Sequence, residues 1–493
     1  MRMRLFGKYG CFSLLLLSIV FLLLPPPVAE GATIYVDTRA AGANDGTSWA
    51  DAYTDLQTAL ATAADRDEIW VAQGIYRPTT GVDRSISFIL RNSVALYGGF
   101  AGTETAREQR DWTANETVLS GNIGLPDTNA DNSYHVVIGS GTNRTAVLDG
   151  FTLSGGNADG PGSDRFGGGM FNDGGSPIIN NCIFRGNNAG FIGGGIYNLS
   201  PDGSPTITDC TFSENIAEAG GGIMNDRGSS PILRYCVFSD NSAIFGGGAI
   251  FNGENCNTIV TNSSFSNNAA GDGGAILNNT GHSGRITITN STFFLNSASS
   301  KGGALLNLLS DPAVTNCTFT GNSAAIGGGA MYNDTANPVV MNCTFYENNA
   351  FGEGFSMFNN NSDPVVTNSI IWSSGGTIRH IFNQGTSSPV FSYSVTDQPG
   401  TGNITANPRL GALADNGGPT STHALLDGSS ALDAGTSTGA PVTDQRGVSR
   451  PQGPGVDIGS YERASSGRGG GCNFGFSPSM LLLALPLFIF VKR

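Results

Sequence analysis

Between Pro177 and Asn383 the chain states one pattern eight times: an apolar strand, an Asn or Asp, a Cys or Ser, a Phe, an Asn, then a glycine run. Aligned on the aromatic, the copies place Phe184, Phe212, Phe238, Phe265, Phe293, Phe319, Phe345 and finally Ile371 at intervals of 26 to 28 residues. A repeat with one apolar face cannot bury it alone, so the copies must stack, and equivalent positions become columns along the stack. Ile179, Ile207, Leu233, Val260, Ile288, Val314, Val340 and Val366 form an aliphatic column suited to buried strands. Two residues on stand Asn181, Asp209, Tyr235, Asn262, Asn290, Asn316, Asn342 and Asn368, mostly residues that tolerate a left-handed backbone, which predicts a bend. Cys182, Cys210, Cys236, Ser263, Ser291, Cys317, Cys343 and Ser369 then turn inward as small fillers. A second apolar column, from Ile196 to Ile381, leads into Asn198 through Asn383.

The expected fold is therefore all-β, a parallel β-helix with two or three short strands per coil. Roughly ten or eleven coils at about 4.8 Å each give a rod about 50 Å long. Each buried Phe stabilises it by roughly 1.5–3 kcal/mol.

Of 493 residues 71 are Gly, only 13 % are charged, and the net charge is -14. Lys301 is the one lysine away from the termini, so no basic stripe can neutralise phosphates, which excludes nucleic acid as a partner. Arg2, Arg4 and Lys8 before the apolar run Phe12 to Leu24, with Ala29-Glu30-Gly31 after it, read as a secretory signal peptide over residues 1–31. Cys11 precedes that run and leaves with it. At the other end a Gly/Ser linker (464–471) precedes Cys472, an apolar stretch from Phe474 to Val491, and Lys492-Arg493. A helix there would cover roughly 27 Å, close to a bilayer core, so residues 472–493 read as a transmembrane anchor tail with its basic end in the cytoplasm.

Between these ends, residues 32–135 read as an N-terminal cap with entry coils. Ser48 and Asp51 form a capping box before a helical stripe of Tyr53, Leu56, Leu60 and Ala63. Residues 136–385 are the repeats, and 386–463 carry NPRLGALADNGGPTSTHALLDGSSALDAG, TDQRGVSRP and VDIGSYE.

Those last motifs closely resemble the choice-of-anchor Q domain of bacterial surface β-helix proteins. The FxxN pairs (Phe184/Asn187, Phe212/Asn215, Phe238/Asn241, Phe265/Asn268, Phe319/Asn322, Phe345/Asn348) with GGAI or GGGI resemble polymorphic outer membrane protein repeats. The Gly-rich linker, Cys472, apolar stretch and basic end resemble GlyGly, Myxo and Synerg C-terminal sorting tags. These resemblances imply a right-handed, single-stranded, pectin-lyase-like β-helix, an adhesin role, and processing by a sorting protease or lipid attachment at Cys472. The autotransporter barrel that ends polymorphic outer membrane proteins has no counterpart here.

Carbohydrate-active β-helices need acidic clusters, and the NTD and DD motifs of polygalacturonases are absent; Gly281-His282-Ser283 only echoes GHG. Glu214 and Asp240, each two residues after its Phe, share a column on neighbouring coils, at the separation of retaining glycosidase carboxylates. The competing reading is a solvated acidic face or a weak calcium contact. The stacked cysteines have disulfide-compatible spacing, yet Ser alternates with Cys in their column, which favours small-residue packing. Cys256 is an unpaired loop candidate. Asn-x-Ser/Thr triplets such as Asn290-Ser291-Thr292 and Asn316-Cys317-Thr318 read as hydrogen-bonded Asn ladders, not glycosylation sites. No cofactor is expected; calcium is the one candidate, and the acidic loops Asp127 to Asp131 and Asp159 to Asp164 that could bind it form no complete ligand loop. The expected function is an exported, surface- or membrane-anchored, non-enzymatic β-helix that binds glycans or cell-surface components. The alternatives are a polysaccharide lyase or glycosidase, and a structural surface-layer component.

Overall fold

The computed structural model describes residues 31–125, 128–374 and 380–464. All of the expected signal peptide except Gly31, all of the linker except Ala464, and the sorting tail with Cys472 lie outside the described residues. Among the described residues no helix is long and apolar enough to cross a membrane.

The repeats wind into a parallel β-solenoid. Its longest sheet has thirteen strands and runs from Thr33–Val36 through Ile178–Asn180 to Val390–Ser392. Two further sheets have eleven strands each, one holding the Phe column and one the Asn198 column. A fourth, eight-stranded sheet of mostly two-residue strands such as Asn188–Ala189 was not anticipated. Its inward residues are alanines (Ala189, Ala217, Ala243), too small to register as an apolar column. Thirteen rungs at about 4.8 Å make a rod of roughly 58 Å.

Packing follows the columns. The seven phenylalanines are fully buried, and neighbouring rings stack with centroids 4.6–4.8 Å apart and planes within 7°. The bend column takes φ between +49° and +54° at all eight positions, Tyr235 included. A glycine column is equally obligatory: Gly220 takes φ +63°, and a Cβ on Gly221 would lie 2.5 Å from the Gly248 carbonyl oxygen.

The principal ladders of asparagine side chains stand in the two other Asn columns. In one, Asn187, Asn215, Asn241, Asn268, Asn296, Asn322 and Asn348 pass amide N–H to the next Oδ1 at 2.9–3.1 Å. Phe293/Asn296 thus completes the FxxN series. In the other, Asn172 through Asn383 do the same at 2.8–2.9 Å. The bend column carries only scattered links, Asn316 to Asn290 at 3.2 Å and Asn368 to Asn342 at 3.3 Å.

Cys and Ser interchange because both donate and accept. Cys182 N–H donates to Cys210 Sγ at 3.4 Å, Cys236 N–H to Ser263 Oγ at 3.1 Å, and each side chain donates to the carbonyl two residues before it. All six described cysteines, Cys256 included, are buried free thiols.

The helix near the N-terminus spans Leu56–Thr62, with Asp55 as its N-cap. Ser48 and Asp51 do bond each other, but they close a loop instead of starting the helix. Leu56, Ala59 and Leu60 join the solenoid core.

Tyr393 repeats the bend at φ +48°, and Ser394 and Val395 still stack on Ser369 and Ile370; beyond Ile404 the chain leaves the coils and lies along the flank of the rod, back to the coil of Asn290. Gln445 anchors it: its Oε1 accepts from Thr318 Oγ1 at 2.7 Å, and its Nε2 donates to Thr292 Oγ1 at 2.8 Å. Ser460 N–H donates to Thr344 Oγ1 at 3.0 Å, and Asn368 Nδ2 to the Thr436 carbonyl at 2.8 Å. Inside this module, buried pairs Arg446–Asp444 (2.7 Å) and Arg450–Glu462 (2.8 Å) hold the DQRG, SRP and SYE segments together.

Candidate functional site

The repeated letters face inward, so the concave surface sites lie where the columns are irregular: one of about 330 Å³ on the entry coils, lined by Tyr97, Arg107, Glu108, Arg110, Trp112 and Asp149, and a larger one where the columns degenerate at the other end. That happens at the seam between the last coils and the flanking module. A cleft of about 580 Å³ opens there, lined by Tyr346, Trp372, Ser373, His380, Asp397 and Arg409 among others. Tyr346 and Trp372 are register partners on adjacent rungs, one step outside the Phe345–Ile371 core pair. Glu347 follows in the next column, and its Oε1 accepts from Ser374 N–H at 2.6 Å. His380 opens the next rung of another sheet, its carbonyl accepting from Ser356 and Met357 N–H at 2.9 Å. Asp397 and Arg409 come from the module.

Burial pushes the His380 imidazole below its ordinary value against the opposing pull of Asp397 and Glu347, so it is neutral at neutral pH. His423, stacked edge-on to Tyr346 at 4.9 Å, is lowered by burial as well. Tyr346 is raised by burial and by Glu347. Three buried polar atoms at this seam have no hydrogen-bond partner: Ser373 Oγ, His380 Nδ1 and His423 Nε2.

The family model of the right-handed β-helix region matches residues 127–293 and 271–393, more than half of the 493. The chain belongs to the right-handed β-helix family. No curated protein matches it. Among solved structures it is similar to pectate lyase Pel9A, with a TM-score of 0.45 and 13% identity over 89% of this chain and 98% of that one. It is also similar to a rhamnogalacturonan lyase (TM-score 0.38, 12% identity, 81% of this chain and 97% of that one). A third is the catalytic unit of a thermostable GH87 α-1,3-glucanase from Streptomyces thermodiastaticus strain HF3-3 (0.31, 14%, 73% and 70%). Likeness at this level says nothing about chemistry.

The remaining sequence candidates of this β-helix sit elsewhere. Glu214 and Asp240 are exposed, both at φ +57°, in a second left-handed bend column that also holds Asn267, Leu295, Gly321 and Glu347. Arg185, one coil earlier, reaches Glu116 at 3.6 Å. His282 is an exposed turn residue 3.3 Å from Asp311. Of the calcium candidates, Asp127 lies outside the described residues, Asp159 pairs with Arg84 at 2.5 Å, and Asp164 stands 3.8 Å from His135. Among the described residues no group of three or more His, Cys, Asp or Glu is arranged to hold a metal. Asn316, Cys317 and Thr318 are all buried, and in the other triplet Ser291 and Thr292 are buried while Asn290 is half-buried.

The seam cleft has no counterpart among the sequence expectations. One signal was present: Glu347 repeats the acid of Glu214 and Asp240, beside Tyr346 and one coil before Trp372.

Proposed function

We propose that this protein is an exported, surface- or membrane-anchored β-helix that binds glycans at the seam cleft without turning them over. The observation that carries the reading is the lining of that cleft, two aromatic side chains beside neutral and charged hydrogen-bonding groups in about 580 Å³. The C–H face of a sugar ring packs on an aromatic, its hydroxyls need polar partners, and the volume is that of a small-ligand site. Export rests on the signal peptide at 1–31, and anchoring on the tail at 472–493 with processing at Cys472. The module at 386–463, read as a choice-of-anchor Q domain, braces the rod ahead of that tail, and the helix Leu56–Thr62 acts as its N-terminal cap.

Incubating the mature protein with a panel of neutral and acidic glycans tests the reading. Retention without released product is the expected outcome. Product that disappears in Glu347→Gln or Asp397→Asn would establish a glycosidase or lyase instead. Intact-mass analysis of the mature protein addresses the anchor, since a native terminus at Arg493 excludes processing.

A further inference from the structure

Resting on the reading of residues 472–493 as a membrane anchor, we propose that the rod lies flat on the bilayer that holds this tail, with the corner after the fourth sheet seated in the lipid headgroup region. That corner is an apolar row. Phe191, Ile244, Phe245, Ile326 and Phe351 all stand there exposed, Phe351 at 89%. Stacked main-chain bonds align their turns: Glu218 N–H donates to the Phe191 carbonyl at 2.8 Å, Asp272 N–H to that of Phe245 at 2.8 Å, and Phe351 N–H to that of Ala324 at 3.1 Å. Six rungs separate the strand before Phe191 from the strand before Phe351, so the row runs along the rod for about 29 Å and faces one plane. Among the described strands of the fourth sheet Glu218 is the one charged residue. Single exposed apolar side chains are ordinary, whereas an aligned and nearly uncharged row marks a contact surface.

The occupant follows from where the chain leaves the fold. Ser460 N–H donates to Thr344 Oγ1 at 3.0 Å. Thr344 stands on the coil that carries Phe351, seven residues before it and so at most about 25 Å away. From Ala464 the eight residues to Cys472 span up to about 27 Å, so the apolar stretch that begins at Phe474 can enter a bilayer that touches the corner. A net charge of -14 gives the chain no attraction to anionic headgroups. The contact therefore rests on the Phe and Ile side chains, which suit the boundary between headgroups and acyl chains.

Tryptophan substitution in the full mature protein, reconstituted in phosphatidylcholine vesicles with and without brominated acyl chains, tests the contact. The emission added by Phe245→Trp or Phe351→Trp should be quenched at least about twofold, whereas that added by Ile259→Trp, on the outer face of the thirteen-stranded sheet, should be unchanged. Ile326→Asp should reduce the quenching at Phe245→Trp. Co-sedimentation with vesicles but no quenching at either corner position overturns the flat orientation and leaves the anchor standing. Equal quenching at Ile259→Trp and Phe351→Trp overturns it as well. A chain that stays in the supernatant removes the anchor, and this inference with it. A dimer in sedimentation equilibrium that Phe351→Asp dissolves shows a second copy on the corner and overturns the lipid contact.

Discussion

Asn241→Ala is the sharpest test of how the rod holds together. The Asn241 side chain is fully buried and makes four hydrogen bonds. Its Nδ2 donates to the Phe212 carbonyl at 2.9 Å and to Asn268 Oδ1 at 3.0 Å; its Oδ1 accepts from Asn215 N–H at 3.2 Å and from Asn215 Nδ2 at 3.0 Å. At about 1 kcal/mol net per bond, truncation costs about 4 kcal/mol, and it strands the Asn215 main-chain N–H in the core. Asn349→Ala, at an exposed neighbour of the ladder residue Asn348, should stay within about 0.5 kcal/mol. Urea titration followed by circular dichroism measures both, and hydrogen exchange reports whether coils around Phe212 and Phe238 open first. A cost below about 1 kcal/mol for Asn241→Ala would refute the claim that the ladder bears the stack.

Further outcomes follow from the same structure. Cys210→Ser should be close to neutral because the hydroxyl can still accept from Cys182 N–H and donate to the Thr208 carbonyl, whereas Cys210→Val loses the acceptor for Cys182 N–H and should cost about 1–2 kcal/mol by the same titration. Burial pushes the Cys236 thiol up to about 12, so alkylation of the native protein at about pH 8 should leave it unlabelled until the chain unfolds; labelling at a free-thiol rate contradicts this. Gln445→Ala removes the bonds to Thr292 and Thr318 and should expose the module to limited proteolysis while the solenoid resists. Burial pushes the Asp457 carboxyl up to about 6, above its unfolded value. The folded chain therefore holds that proton more tightly, and stability should fall as pH rises from about 4 through about 6. Melting curves at about pH 5 and about pH 8 check the sign, and Asp457→Asn should shrink the difference; an unchanged difference removes Asp457 as its cause.

The solenoid was legible because each rung repeats its neighbours at one period. Phe184 to Phe345, the bend at Asn181 to Asn368 and the Cys/Ser column needed only that stacking makes columns. The fourth sheet was not legible, since Ala189 and its partners carry no apolar signature of their own. The ladder through Asn241 was visible as FxxN letters, but which Asn column points inward depends on how many bends a coil contains. The cleft was hidden for a different reason. Trp372 and His380 stand on the last coils, and Arg409 joins them only because the chain beyond Ile404 folds back along the rod. Gln445, Arg450 and Glu462 stand in the sequence as letters of a family signature, and the structure accounts for them as the internal and docking contacts of that return.

The central claim is that ligand recognition lies at the seam and not along the repeated coils. Hydrogen exchange of the mature protein with and without a retained neutral oligosaccharide measures this most directly. Protection confined to peptides containing Tyr346–Glu347, Trp372–Ser374, His380 and Asp397–Leu410 is the predicted result. Protection at the Glu214 and Asp240 turns, with none at the seam, would contradict it.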